Sequence, residues 1–125
     1  MKKTYIIAEI GINHNGDLKI AKKLIDVATL SGCDAVKFQK RNPDVCVPEH
    51  QKSIMRETPW GTMTYLDYKH RMEFNKKEYD EIDLYCKIKG IEWSASPWDM
   101  DSLDFLLQYD IPFLKIPSAM ITNEE

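Results

Sequence analysis

Apolar and polar residues fall into blocks along this chain, and the blocks alternate between two periods. Tyr5-Ile6-Ile7-Ala8 is an unbroken apolar run that predicts a strand over residues 5–8, reaching 10 at most. A strand with no polar side is what a parallel sheet covered on both faces requires. Residues 11–16 read as a turn, and Asp17 opens a helix to about residue 31. Leu18, Ala21, Leu24, Ile25 and Ala28 recur there at i, i+3, i+4 spacing. Gly32 is placed to end that helix in a left-handed cap. Ala35-Val36-Lys37-Phe38-Gln39 predicts a second strand. Residues 40–74 break the rhythm, because Pro43, Pro48 and Pro59 forbid a long regular element, with room for a short helix within 62–74. Asn75 and Glu78 have capping-box spacing before a helix that carries Tyr79, Ile82, Tyr85 and Cys86 on one side and stops at Gly90. A third strand is expected over 91–96, a short helix over 101–108 and a fourth strand over 112–116. Another helix is expected to begin within 121–125.

The order is therefore βα, βα, βα, β and the start of a helix. Such alternation predicts an α/β fold with parallel strands and right-handed crossovers. An open doubly wound sheet and a (β/α)8 barrel both fit. Since a barrel takes about 250 residues, this chain would be about half of one, its four N-terminal strands. Gly11-Ile12-Asn13-His14-Asn15-Gly16 lacks the middle glycine of a dinucleotide fingerprint, which disfavours that alternative.

Composition narrows the picture further. The chain has 125 residues, 43% hydrophobic and 30% charged, enough for one domain with a core of its own. A net charge of −3 with mixed signs excludes the basic field that nucleic acid or an anionic membrane would need. Cys33, Cys46 and Cys86 are odd in number and widely spaced, which suits a reducing cytoplasm better than a disulfide framework. Glu9 interrupts the N-terminal apolar run too early for a signal peptide. No stretch approaches a membrane span.

Candidate chemistry gathers at the carboxyl ends of the predicted strands, where barrels place their active sites. Glu9 and Asn13 follow the first strand, Lys37 and Gln39 the second. Ser94 and Ser96 close the third, and Lys115 and Ser118 the fourth. Side chains alternate along a strand, so Lys37 and Gln39 point the same way. Two lysines among hydroxyl and amide donors suit an anion bearing phosphate and carboxylate. A single strand-end lysine more often reaches solvent; two of them, each among large apolar neighbours, make the cradle equally good. Glu9 at a strand end must find donors or a ligand. His14 is a possible ligand or contact, but His50 and His70 are not spaced to complete a metal site with it.

Taken in order, Ala8-Glu9-Ile10-Gly11-Ile12-Asn13-His14-Asn15-Gly16, Val36-Lys37-Phe38-Gln39, Ser94-Ala95-Ser96-Pro97 and Leu114-Lys115-Ile116-Pro117-Ser118 resemble the sialic acid synthase family, the N-acetylneuraminate and related nonulosonate synthases. The resemblance implies the N-terminal half of a (β/α)8 barrel, residues 1–125 forming one partial domain. It implies condensation of phosphoenolpyruvate with an N-acetylated amino sugar such as N-acetylmannosamine, and water, to a nine-carbon 2-keto acid and phosphate. Lys37, Ser96, Lys115 and Ser118 match residues that hold phosphoenolpyruvate. Glu9 matches the carboxylate that engages the sugar, with Gln39, Asn13 and His14 as possible neighbours. It further implies a divalent cation, Mn2+ or Mg2+, whose ligands lie outside this chain, and a homodimer in the full-length enzyme, completed by an antifreeze-like domain. The isolated 125 residues would then be an inactive fragment. Met120 stands where the family often has glutamate, which leaves the acceptor sugar open. The alternatives are a related barrel that condenses phosphoenolpyruvate with a sugar phosphate, and a non-catalytic half-barrel that self-associates through its open edges.

Overall fold

The structure, a computed structural model, describes residues 2–125. Strand β1 (Ile7–Gly11) leads through a tight turn into helix α1 (Leu18–Leu30), and β2 (Ala35–Lys40) follows. Two short helical turns come next, α2 (Pro43–Cys46) and α3 (Glu49–Lys52). An antiparallel hairpin, β3 (Met55–Thr58) and β4 (Gly61–Thr64), then leads into α4 (Tyr65–Met72). Helix α5 (Lys76–Lys89), strand β5 (Glu92–Pro97) and helix α6 (Met100–Leu106) complete the regular part, before a single 3-10 turn at Ser118–Met120. The main sheet is parallel, in the order β1-β2-β5.

Local chemistry explains the boundaries. Asp17 caps α1 by accepting from the Lys19 and Ile20 amides, and Asn75 and Glu78 form the expected reciprocal capping box on α5. Gly90, at φ +71°, ends α5 in the left-handed region.

The helices cover one face of the sheet. Val36 and Phe38 from β2, Trp93 and Ala95 from β5, and Ile10 from β1 pack there against Ile25, Tyr79, Ile82, Cys86 and Leu106. Burying a side chain the size of Phe38 or Ile82 contributes about 1.5–3 kcal/mol, so this layer holds the unit together. Burial pushes the Cys86 thiol up to about 12, as expected of a packing cysteine. The residues of opposite parity, Glu9, Lys37, Gln39, Ser94 and Ser96, project from the other face.

Two expectations need correction. Residues 112–116 join no ladder, so the parallel sheet among the described residues has three strands, not four. The segment is tied instead by Ser94, whose hydroxyl donates to the Phe113 carbonyl at 2.5 Å. No helix starts within 121–125. The hairpin within 55–64 was not foreseen; its short, exposed strands carry little apolar alternation. Its aromatics pack on cations of their own region, Arg56 over Tyr65 at 4.6 Å and Arg71 over Trp60 at 4.5 Å. No helix among the described residues is long and apolar enough to cross a membrane.

Candidate active-site cleft

Register puts the polar face together row by row. Glu9 lies opposite Lys37, Lys37 opposite Ser94, and Gln39 opposite Ser96. Lys37 is only 4% exposed, and a buried ammonium needs partners. Its Nζ meets Glu9 Oε2 at 2.7 Å and donates to Ser96 Oγ at 2.9 Å, reaching one row along the sheet. Glu9 keeps half of its side chain exposed, so the pair sits at the boundary between protein and solvent.

A cleft of about 320 Å3 opens above this pair. Glu9, Asn13, Lys37, Gln39, Ser96, Lys115 and Ser118 all line it, bringing seven of the nine sequence-designated residues to one place, while Ser94 lies beneath, donating to the Phe113 carbonyl. Lys115, from the segment after α6, and Ser118, which opens the 3-10 turn, are exposed. Lys115, Glu9 and Lys37 also face an adjoining hollow. Two amines, two hydroxyls and two amides at a strand-end rim can grip a small dianion, while Glu9 can accept from hydroxyl or amide hydrogens.

His14 also lies outside the cleft. Its ring is 2% exposed and stacks on Phe74 with centroids 4.1 Å apart. Nδ1 accepts from the Gly16 amide at 2.9 Å, so the neutral ring carries its proton on Nε2. His14 therefore clamps the turn after β1 onto the helical layer and does not face the cleft. Burial lowers its pKa from 6.5 to about 4, with the Gly11 backbone opposing. Unfolded histidine binds a proton first as pH falls, so this stabilisation is complete above pH 6.5 and is lost as pH falls to about 4. The span corresponds to about 3 kcal/mol. Urea titrations at several pH values should show a shallower dependence between pH 6.5 and 4 for His14→Gln than for the native chain. Equal slopes would contradict the assignment.

One residue of the cleft wall and a neighbour stacked on it escaped sequence reading. Trp98 lines the cleft, and Arg41 stacks on it with its guanidinium carbon 3.6 Å from the ring centroid. Arg41 shares the parity of Lys37 and Gln39, and that continuation of the alternation was the available signal.

The model of the NeuB family matches residues 24–125. Over 125 residues the chain is 40% identical to the N,N'-diacetyllegionaminic acid synthase of Campylobacter jejuni, covering 98% of this chain and 37% of that protein. It is also 40% identical over 123 residues to the N-acetylneuraminate-9-phosphate synthase of Drosophila melanogaster, covering 95% of this chain and 32% of that one. The crystal structure of N-acetylneuraminic acid (sialic acid) synthetase from Leptospira borgpetersenii in complex with citrate superposes with a TM-score of 0.82 at 31% identity, over 98% of this chain and 39% of that one. The chain thus spans about a third of the length of the curated relatives it matches.

Proposed function

The chain belongs to the NeuB family, and from that premise we propose that it supplies the phosphoenolpyruvate-binding wall of a nonulosonate synthase of the N-acetylneuraminate type. One observation carries the reading: Glu9, Lys37, Ser96, Lys115 and Ser118 open onto a single cleft at the carboxyl ends of parallel strands. Lys37, Lys115 and the two hydroxyls hold the phosphate and carboxylate of phosphoenolpyruvate. Glu9 engages the open-chain N-acetylated amino sugar. Carbon 3 of phosphoenolpyruvate attacks the sugar aldehyde, water adds at carbon 2, and phosphate departs with C–O cleavage. The product is a nine-carbon 2-keto acid.

A divalent cation, Mn2+ or Mg2+, held by residues outside this chain would polarise the aldehyde. Among the described residues no three His, Cys, Asp or Glu side chains lie together to hold a metal, so no step is assigned to one here. Residues 1–125 alone are proposed to be inactive, and the complete protein to act as a homodimer in the cytoplasm.

Phosphate release by the complete protein, given phosphoenolpyruvate, N-acetylmannosamine and Mn2+, tests the reading; no release with any N-acetylated amino sugar would overturn it. A phosphorylated acceptor is the second reading, favoured by the product name of the Drosophila relative. Comparing N-acetylmannosamine with its 6-phosphate separates the two. Lys115→Met should weaken phosphoenolpyruvate binding by about 1.5–3 kcal/mol, the scale of a charged hydrogen bond. Lys115 is exposed, so stability should not change. Unaltered affinity by calorimetry would remove Lys115 from the cradle.

A further inference from the structure

Lys69, in α4, is a buried cation without a negative partner among the described residues. It is 8% exposed, and an ammonium taken out of water needs acceptors or a counter-charge. Among the described residues its Nζ meets only two rings, Tyr65 and Tyr68, with centroids 5.2 and 5.4 Å away. Ring faces return only part of the lost hydration.

The surroundings make that charge harder to hold. The Arg56 guanidinium carbon lies 4.6 Å from the centroid of the same Tyr65 ring, and Arg41 adds a second positive charge nearby. The two groups that could balance them are committed or neutral. Glu73 Oε2 accepts from Lys40 at 3.2 Å and from the Arg41 amide at 3.3 Å. Burial pushes the Cys46 thiol up, so it stays protonated and uncharged. Lys69 therefore sheds its proton more readily than an ordinary lysine, with burial the larger cause and Arg41 the next.

A desolvated amine beside other cations is the setting in which lysine becomes a nucleophile. The electrophile that suits this one is small, uncharged and leaves a negative charge behind. We propose that Lys69 is a carbamylation site for carbon dioxide, with the carbamate paired to Arg56 and Arg41. The lone pair of the neutral Nζ attacks the carbon. The N–C bond forms as one C=O bond opens onto its oxygen, and one N–H proton passes to water. The sign of the charge at Lys69 is thereby inverted. A third cation beside two arginines becomes an anion beside them, and its oxygens accept guanidinium hydrogens. A larger acylating or carbonyl reagent would have to displace the tyrosines, whereas carbon dioxide is triatomic and has no charge to desolvate. The inference is independent of the function proposed above.

The test is 13C spectroscopy of the complete protein in buffer equilibrated with 13C-labelled carbon dioxide. A carbamate resonance distinct from bicarbonate should grow with carbon dioxide pressure, saturate, and vanish in Lys69→Met. Lys69→Arg keeps the charge against the tyrosines and should lose the resonance too, so a poorly folded Met variant does not blunt the result. Alkylating the carbamate with a trialkyloxonium salt, followed by peptide mass spectrometry, should place the adduct on Lys69. The terminal α-amino group, with an ordinary pKa of about 8, reacts to some extent in any protein and is the internal reference. Adducts on that group alone, or spread evenly over the lysines, would overturn the proposal. Arg56→Met removes a charge that disfavours the ammonium and holds the product, so it should cut the carbamate fraction about fivefold. Arg56 is exposed, so the variant should fold, and an unchanged fraction would overturn the pairing on which the site rests.

Discussion

Gly16→Ala is expected to cost the chain about 3 kcal/mol of stability or more, enough to unfold a marginal domain. Gly16 adopts φ +69°, where an L side chain is strained by about 1–2 kcal/mol. A methyl group there would also lie 2.1 Å from the Arg71 carbonyl oxygen in α4. That atom is backbone and cannot swing aside, so the turn or the helix must move. Either movement also strains the Gly16 amide bond to His14 and the stack of His14 on Phe74. Gly32→Ala is the control, because Gly32 has φ +80° with nothing near the added methyl. It should cost only about 1 kcal/mol. Urea midpoints for the two variants decide the matter. Equal losses would mean that the turn does not press on α4.

The second large effect separates function from stability at the Glu9–Lys37 pair. Lys37→Met should weaken phosphoenolpyruvate binding by about a hundredfold, since a central cation of the cradle goes, yet shift stability by only about 1 kcal/mol. An apolar chain of similar length replaces a buried ion, and Glu9, half exposed, can turn to water. Glu9→Gln, the smaller chemical change, should be the more destabilising, by about 2 kcal/mol, because it leaves the buried ammonium without a counter-charge. The partial exposure of the pair keeps that figure below the range for fully buried ions. Calorimetry with phosphoenolpyruvate and urea titrations of both variants check the order. A Lys37→Met protein that binds as tightly as the native one would remove Lys37 from the site. A Glu9→Gln protein as stable as the native one would mean that Ser96 alone satisfies the amine.

Much of the fold was legible along the chain because its signals are local. The apolar runs at 35–39 and 91–96, the cap residues Asp17, Asn75 and Glu78, and the stop at Gly90 act through their own neighbourhoods. Residues 112–116 show the opposite case. Pro112-Phe113-Leu114-Lys115-Ile116 has the letters of a strand, but a strand exists only where a neighbour offers a ladder, and here the tie is one serine hydroxyl. His14 shows how a motif letter misleads. It stands between Asn13, in the cleft, and Gly16, against α4, and a turn sends successive side chains in different directions.

Strand alternation alone put Lys37 and Gln39 on one face, and the order of elements alone implied parallel pairing. Periodicity is a property of the backbone and needs no partner, so the sequence by itself determined the α/β layering and that Lys37 and Gln39 share one face of the second strand. Which charges meet was decided only by the tertiary structure. The pairing of Lys37 with Glu9 depends on strand register, and the stacking of Arg41 on Trp98 on the route of the chain beyond β5. The position of His14 depends on Phe74, in the link between α4 and α5. Distances of a few ångströms between side chains from remote segments are set by packing, and no local pattern encodes them.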